Sequence, residues 1–362
     1  MVEKLVDHNL LTYLRDDRYG FHEVVRGDAA ARSGVYDSTE ERDAVVAGAL
    51  TWAVEETLPR GKALSGRWYI SSLEIPDVAY ERDSNIRWFA AETPTLVACV
   101  RYARKHGLHD IAWKTTMGLY KYLHQTRQNA ALLTTHEEAI ESASAVGNNE
   151  ALMQLNLQKG AAHLDVGEYP AATACFQTAL DLADTHPLAA QSALEWMGKT
   201  FARQGSHTLA REYYNRSWAA VMARPDVSPF QKDRVKALLD LQDGRAQVAM
   251  EGWEGATANA LAARHFFDQY PNETDNQAKI RLVLAQALVG QGRATEALPE
   301  LRTAVELFEK DESWRSLAEA RVLYADVLLA AGEDPADQLR AALAYYEEVG
   351  SSLADAVRAR LT

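Results

Sequence analysis

Small and apolar residues recur in one pattern through the last two thirds of the chain. Each copy begins with glycine or alanine, has a second glycine seven positions later, and continues with small and aromatic residues at matched offsets. The clearest copy contains Gly160, Gly167, Tyr169, Ala172, Phe176 and Ala179, and the next contains Gly198, Gly205, His207, Ala210, Tyr214 and Ser217. Ala285 and Ala325 begin two weaker copies. A period of about 40 residues is typical of stacked helical hairpins.

The small residues have a packing explanation. Where two antiparallel helices of a hairpin cross closely, only a hydrogen atom or a methyl group fits between them. Gly160 is therefore expected to oppose Ala172, and Gly198 to oppose Ala210. Residues 235–250 lack a clear glycine at the matching position, so we expect an altered crossing there.

The first third reads differently. Residues 1–36 predict a small helix-and-hairpin head, with a helix over residues 5–14, a turn at residues 16–20 and a strand or short helix at residues 21–25. Residues 37–92 predict a helical connector. Four residues are expected to break that connector, namely Pro59, Gly61, Gly66 and Pro76. Thr93 and Pro94 then suit the start of a helix, and the repeat array is assigned to residues 93–362.

Composition narrows the function. The chain has 362 residues, 47% of them hydrophobic, which is ordinary for a folded protein. Its net charge of -13 and the lack of a basic stripe argue against a direct nucleic-acid partner. Cys99 and Cys175 lie in amphipathic helical patterns, which favours reduced, packed thiols.

The N-terminus has no charged leader followed by an apolar stretch, and no uninterrupted apolar run reaches membrane-spanning length. We therefore expect a cytoplasmic protein without a membrane partner.

The repeated residues resemble tetratricopeptide repeats, in the longer variety with about 40 residues per unit. The match covers residues 110–350. The resemblance implies an all-α fold, a right-handed superhelix of about five or six helical hairpins, together with a small N-terminal winged-helix-like head.

Three upstream segments look like a particular group of regulators. Residues 5–11, 19–26 and 88–97 are similar to the end of the winged-helix module and the junction into the repeat arm of actinobacterial NB-ARC-type STAND transcriptional regulators. Glu23 replaces the aspartate usual in that family, and no Gly-x-x-x-x-Gly-Lys-Ser/Thr phosphate loop occurs. The resemblance thus implies a C-terminal sensor arm that lacks the nucleotide-binding domain, either free-standing or part of a longer regulator.

In tetratricopeptide arrays the first helix of each hairpin lines the concave surface, where ligands are usually held. Counting from the small residues gives seven candidate partner-binding residues: Gln158, Asp165, Trp196, Lys199, Arg203, Gln286 and Asp326. Lys199 and Arg203 lie four positions apart beside Trp196, an arrangement that suits a carboxylate or an acidic peptide. The alternative is a solvated helix face with one packed tryptophan.

No catalytic residue, metal site or cofactor site is predicted. His136 and Glu137 lack the second histidine of a zinc-binding helix, which favours a solvated helix start. Ser206 and His207 fall in a turn between helices, and no Gly-x-Ser-x-Gly elbow exists. Four tryptophans of the first third, Trp52, Trp68, Trp88 and Trp113, are interpreted as core packing, with a ligand pocket as the alternative.

These patterns favour a non-enzymatic regulatory module that binds a protein or peptide on the concave face, in transcriptional or biosynthetic regulation. One alternative is a receptor for a small peptide or a small-molecule metabolite. An alternative of another class is an accessory or unusual enzyme that uses the Trp-rich N-terminal region. A homodimer stays open.

Overall fold

A computed structural model describes residues 2–15, 18–65, 68–71, 73–183, 186–349 and 351–361. Across these ranges the chain forms seventeen helices and one two-stranded hairpin. The contacts divide it into two compact units. One contains the described residues of 1–67 and 73–147, and the other those of 68–72 and 148–362.

The first unit begins with the expected helix-and-hairpin head. Its elements are α1 (Val2–Asp7), β1 (Leu11–Arg15), β2 (Arg18–Phe21) and α2 (Glu23–Tyr36). The strands pair antiparallel with Leu11 opposite Phe21. The helix predicted over residues 5–14 is wrong beyond Asp7, because residues 11–15 form β1 and pair with β2. Of the predicted turn, residues 16 and 17 lie outside the described residues, and residues 18–20 belong to β2. The assignment of this head to a winged helix stays a prediction, as do the three domain boundaries.

Four long helices complete the first unit: α3 (Thr39–Ser65), α4 (Arg82–Lys105), α5 (His109–Gln125) and α6 (Asn129–Ala145). Helix α5 packs against the other three. At its crossing with α3, a Cβ atom on Gly61 would overlap the backbone of Gly118, and one on Gly118 would overlap Thr57. Two helix backbones thus meet directly at this point.

The expected breaks at Pro59 and Gly61 are wrong, because α3 runs through both residues to Ser65. Gly61 serves the contact with Gly118 and does not end the helix. Gly66 lies outside the described residues. Residues 73–81 are irregular, as expected around Pro76.

The expected helix start at Thr93 is also wrong, since α4 begins at Arg82 and contains Pro94. The Glu81 side chain accepts the backbone N–H groups of Asp83 and Ser84 and so provides the N-cap. The Thr93 hydroxyl instead donates to the Phe89 carbonyl inside the helix.

The second unit is a series of helical hairpins, which confirms the predicted helical-repeat fold. Its helices are α7 (Asn149–Asp165), α8 (Tyr169–Asp181), α9 (Pro187–Arg203), α10 (His207–Met222), α11 (Pro229–Ala249), α12 (Trp253–Phe267), α13 (Thr274–Gly290), α14 (Ala294–Lys310), α15 (Trp314–Ala330), α16 (Ala336–Glu348) and α17 (Leu353–Arg358). Each helix packs on the next, and the first helices α7, α9, α11, α13 and α15 also contact one another in order.

The small residues lie where the helices of a hairpin cross. A Cβ atom on Gly160 would overlap the Phe176 ring, and one on Gly198 would overlap the Tyr214 ring and lie 3.1 Å from the Ala210 carbonyl. The predicted approach of Gly198 to Ala210 is therefore present, whereas the atoms nearest to Gly160 belong to Phe176 and not to Ala172.

The expectation that α11 lacks such a glycine is wrong. Gly244 precedes Ala256 by the same interval that separates Gly198 from Ala210. A Cβ atom on Gly244 would lie 3.2 Å from Val283 of α13 and 3.6 Å from the Ala256 carbonyl, so its contact with α12 is looser than that of Gly198 with α10, in agreement with the expected altered crossing. The repeat was hard to recognise because the turn after α11 has no glycine. In the turn after α9, Gly205 has a left-handed φ of 78°, whereas Glu251 occupies the equivalent position after α11 with a φ of 59°.

The contact between α3 and α5 gives a stability prediction. Gly61→Ala should lower the free energy of unfolding by about 1–3 kcal/mol, because the new methyl group meets the backbone of Gly118. Gly48→Ala in the same helix is the matched control, since nothing lies within 4 Å of its Cβ position. It should gain about 1 kcal/mol through helix propensity. Urea titrations followed by circular dichroism would measure both, and equal shifts would refute the proposed close contact.

The turn after α11 gives a second prediction. Glu251→Gly should raise the free energy of unfolding by about 1 kcal/mol, because glycine adopts a left-handed φ without the clash of a side chain. Glu254→Gly, three positions later inside α12, should instead lower it by about 1 kcal/mol. The two urea midpoints should move in opposite directions, and a destabilised Glu251→Gly variant would contradict the assignment.

Candidate functional site

The residue after each crossing residue occupies the same register position on successive first helices. These five residues, called the first-helix row, are Ala161, Lys199, Arg245, Gln286 and Asp326. Because their helices pack side by side, the row defines one face of the hairpin series. Three of its members were predicted as candidate partner contacts.

Lys199 is held by its own helix. Its Nζ lies 2.5 Å from Glu195 Oε1 and 4.4 Å from the centroid of the Trp196 ring. Glu195 is nearly buried, and its other oxygen accepts a hydrogen bond from Gln191 at 2.9 Å. Trp196 in turn stacks on Phe176 with ring centroids 5.9 Å apart. The cation therefore belongs to a packed network and still reaches the surface.

Arg203 connects two first helices. Its Nη1 donates to the Leu164 carbonyl oxygen at 3.2 Å, which caps the C-terminal end of α7. This bond brings the end of α9 beside the last residue of α7, the half-buried Asp165. The structure thus brings together four of the predicted residues, Asp165, Trp196, Lys199 and Arg203.

The other predicted residues lie apart from this group. Gln158 is buried, with 3% of its surface exposed, so it is a weak candidate for direct contact. Gln286 is half-buried on α13. Asp326 on α15 is exposed and forms an ion pair with Arg360, beyond α17. These assignments to partner binding stay predictions.

Two residues of the row, Ala161 and Arg245, were not predicted from the sequence. Ala161 is buried, so Arg245 is the one of the two that reaches the surface. It was overlooked because Gly244, from which it would have been counted, was not recognised as a crossing residue. Its side chain is exposed, and its Nη1 lies 3.5 Å from Gln242 Oε1. Surrounding protein lowers the pKa of the Arg245 guanidinium, an effect that the carboxylates of Asp275 and Glu319 oppose.

The tryptophans of the first unit are packed. The ring centroids of Trp52 and Trp88 lie 6.0 Å apart. The Arg60 Cζ atom lies 4.4 Å from the ring centroid of Trp88 and 4.4 Å from that of Tyr80. Trp113 is 3% exposed, and its Nε1 donates to Asp110 at 3.0 Å. These contacts favour the core interpretation over a ligand pocket.

Other candidate chemistry is weak. His136 is buried in the middle of α6 with its Nδ1 2.8 Å from the Leu132 carbonyl, so the expected solvated position is wrong. Burial raises the pKa of the Cys99 and Cys175 thiols, which disfavours the reactive thiolate. Among the described residues, no group of three or more His, Cys, Asp or Glu side chains is arranged to hold a metal. Nor does any helix there have the length and apolar character needed to cross a bilayer.

Comparison with solved structures supports the fold. The apo quorum sensor NprR from B. thuringiensis superposes with a TM-score of 0.59 at 11% identity, covering 94% of this chain and 86% of NprR. Apo RapI gives 0.52 at 12% identity, with 69% of each chain covered. Aspartyl phosphate phosphatase F from Bacillus subtilis gives 0.51 at 13% identity, covering 77% of this chain and 78% of the phosphatase.

No protein-family model matches the sequence, and no curated protein matches it either. At these identities the structural likeness establishes the helical-repeat fold alone.

The network around Lys199 generates a prediction. Lys199→Ala should lower the free energy of unfolding by about 1–3 kcal/mol, because it removes a partner from the nearly buried Glu195 carboxylate. Adding Glu195→Gln should recover part of that loss, since the neutral amide is less costly to bury. A double-mutant cycle by urea denaturation would measure the coupling. Purely additive effects would show that the pair contributes nothing to stability.

Proposed function

We propose that this chain is a non-enzymatic regulatory module that binds a peptide, or a peptide segment of a protein, along the first-helix row. The observation that carries the proposal is the position of Lys199 and Arg245. Two cations occupy equivalent positions on the adjacent helices α9 and α11, in a chain whose net charge is -13. Arg245 is exposed, whereas Lys199 is half-buried and paired with Glu195, so Arg245 is the cation of the two that is more accessible to an anionic group.

The character of the row fits a peptide. It combines two cations with the amide of Gln286 and the carboxylate of Asp326. A peptide backbone offers both donors and acceptors, and its side chains and terminal carboxylate supply charges for both ends of the row. A nucleic acid would require a continuous basic surface instead.

The structural neighbours support a sensing role. NprR is a quorum sensor and shares the fold over 94% of this chain. Another neighbour is an aspartyl phosphate phosphatase, so the non-enzymatic assignment is itself part of the proposal. A specific observation in favour of catalysis would be a nucleophile beside a base, and the site residues above form no such pair.

The proposal extends to the place of the chain among regulators. We assign residues 93–362 to a sensor arm related to those of STAND regulators and residues 1–36 to the end of a winged-helix module, joined by a connector at 37–92. The helix and hairpin at Val2–Phe21 are consistent with that module. In this scheme the protein acts in the cytoplasm, in transcriptional or biosynthetic control.

The test is a selection of random peptides displayed on phage against the purified full chain, followed by affinity measurements on the enriched peptides. Arg245→Glu should weaken their binding at least tenfold, because it places a like charge beside the anionic group of the ligand. The result is measured by isothermal titration calorimetry at a fixed salt concentration.

Arg216→Glu is the matched control. Arg216 is also exposed, but it lies on the second helix α10, with its guanidinium 4.6 Å from the Tyr213 ring. Equal peptide affinities for the Arg245→Glu and Arg216→Glu variants would show that the first-helix row is not part of the binding site. An absence of enriched peptides, combined with a metabolite that raises the melting temperature, would favour the small-molecule receptor.

A further inference from the structure

A short segment before α4 groups by its contacts with the hairpin series, although the helices that flank it in sequence belong to the first unit. Residues 68–71 belong by their contacts to the second unit, whereas residues 39–65 and 82–105 belong to the first. The described part of the segment, Trp68, Tyr69, Ile70 and Ser71, contains no helix or strand.

Two side chains of α7 bind this segment. The backbone N–H of Tyr69 donates to Gln154 Oε1 at 3.0 Å. The Ser71 hydroxyl donates to Glu150 Oε1 at 2.6 Å, and His186 Nε2 lies 2.9 Å from the same oxygen. The first hydrogen bond is made by the backbone, and the second is made by a hydroxyl side chain two positions later.

The Tyr69 side chain packs against an apolar cluster that lies between α7, α8 and α9. Its buried members include Met153, Leu157, Ala189 and Met197. Ring packing of this kind selects for an aromatic residue, while the Gln154 bond tolerates any residue that has a backbone N–H. The contacts together define a preference for an aromatic residue followed, two positions later, by serine or threonine.

The bound segment lies on the side of α7 that contributes to the first-helix row. Gln154, Leu157 and Ala161 are separated by three and four positions, which places them on one helix face. Ala161 belongs to the row. Gln154 is 95% covered although it is polar, and the hydrogen bond from Tyr69 satisfies its oxygen.

We infer that residues 68–71 occupy the α7 end of the peptide-binding face as an internal ligand, and that a partner peptide with an aromatic-x-serine or aromatic-x-threonine sequence binds there by displacing them. This inference rests on the function proposed above. Because the segment is tethered, it competes at a high effective concentration, so an external peptide binds weakly until the segment is released.

The test uses the full chain and a fluorescent peptide with the sequence of residues 68–71, acetylated and amidated. Ser71→Glu should release the segment, because it places a second carboxylate against Glu150. The substitution does not alter Tyr69 itself. The released variant should bind the probe at least tenfold more tightly than the unmodified chain, as measured by fluorescence anisotropy.

Ser71→Thr is the matched control, because it keeps the hydroxyl donor and should leave the affinity unchanged. Ser71 is exposed, so neither substitution disturbs a core. Adding Gln154→Leu to Ser71→Glu should abolish the gain, and circular dichroism would verify that the helices persist. Unchanged probe affinity in a folded Ser71→Glu variant overturns the inference.

The peptides selected by display separate this result from the proposed function. If they bind with the expected dependence on Arg245 while Ser71→Glu changes neither their affinity nor that of the probe, the proposed function stands and the internal ligand is refuted. If Ser71→Glu binds the probe more tightly but no peptide is found whose binding depends on Arg245, the internal ligand at α7 is supported and the proposed binding along the first-helix row is refuted.

Discussion

The structure depends on the direct approach of paired helices at positions that lack a side chain. At Gly61 and Gly118 two backbones meet, and at Gly160 and Gly198 the aromatic ring of the second helix lies where a Cβ atom would stand. The close approach brings the helices of each hairpin within range of many weak dispersion contacts at once. It also fixes their rotation, because only one face of each helix has room for its partner.

That fixed rotation determines which residues form the first-helix row. The crossing residue faces the second helix, so the residue after it, which is the row member, lies on an adjacent face of the first helix. The same rule operates in α9 and α11, so Lys199 and Arg245 take equivalent places despite different surroundings. Helix packing therefore determines which positions form the row, and the residue type at each position determines its charge.

The hairpin series could be predicted from the sequence because the crossing residues and turn glycines recur at regular spacing. The prediction was wrong where one signal was replaced by a residue of the same conformation. Glu251 adopts the left-handed turn that glycine provides elsewhere, which concealed Gly244 and with it Arg245. Likewise Pro59 and Pro94 suggested helix boundaries, but each lies inside a helix that extends beyond it on both sides. The ion pair of Lys199 with Glu195 joins residues four positions apart in one helix, so spacing alone could have predicted it, but the burial of Glu195 could not be read from that spacing. The contact of Tyr69 with Gln154 joins residues 85 positions apart, and no local pattern reports it.

The discontinuity of the two units has an evolutionary consequence. Because residues 68–71 are contributed to the second unit from within the sequence of the first, no single cut in the chain separates the units completely. Recombination at the junction near residue 148 would deliver a hairpin series whose Gln154 and Glu150 meet a foreign segment or water. Transfer of the hairpin series to another protein would then require that both pieces be inherited together, so the pair is expected to be transmitted as one genetic module.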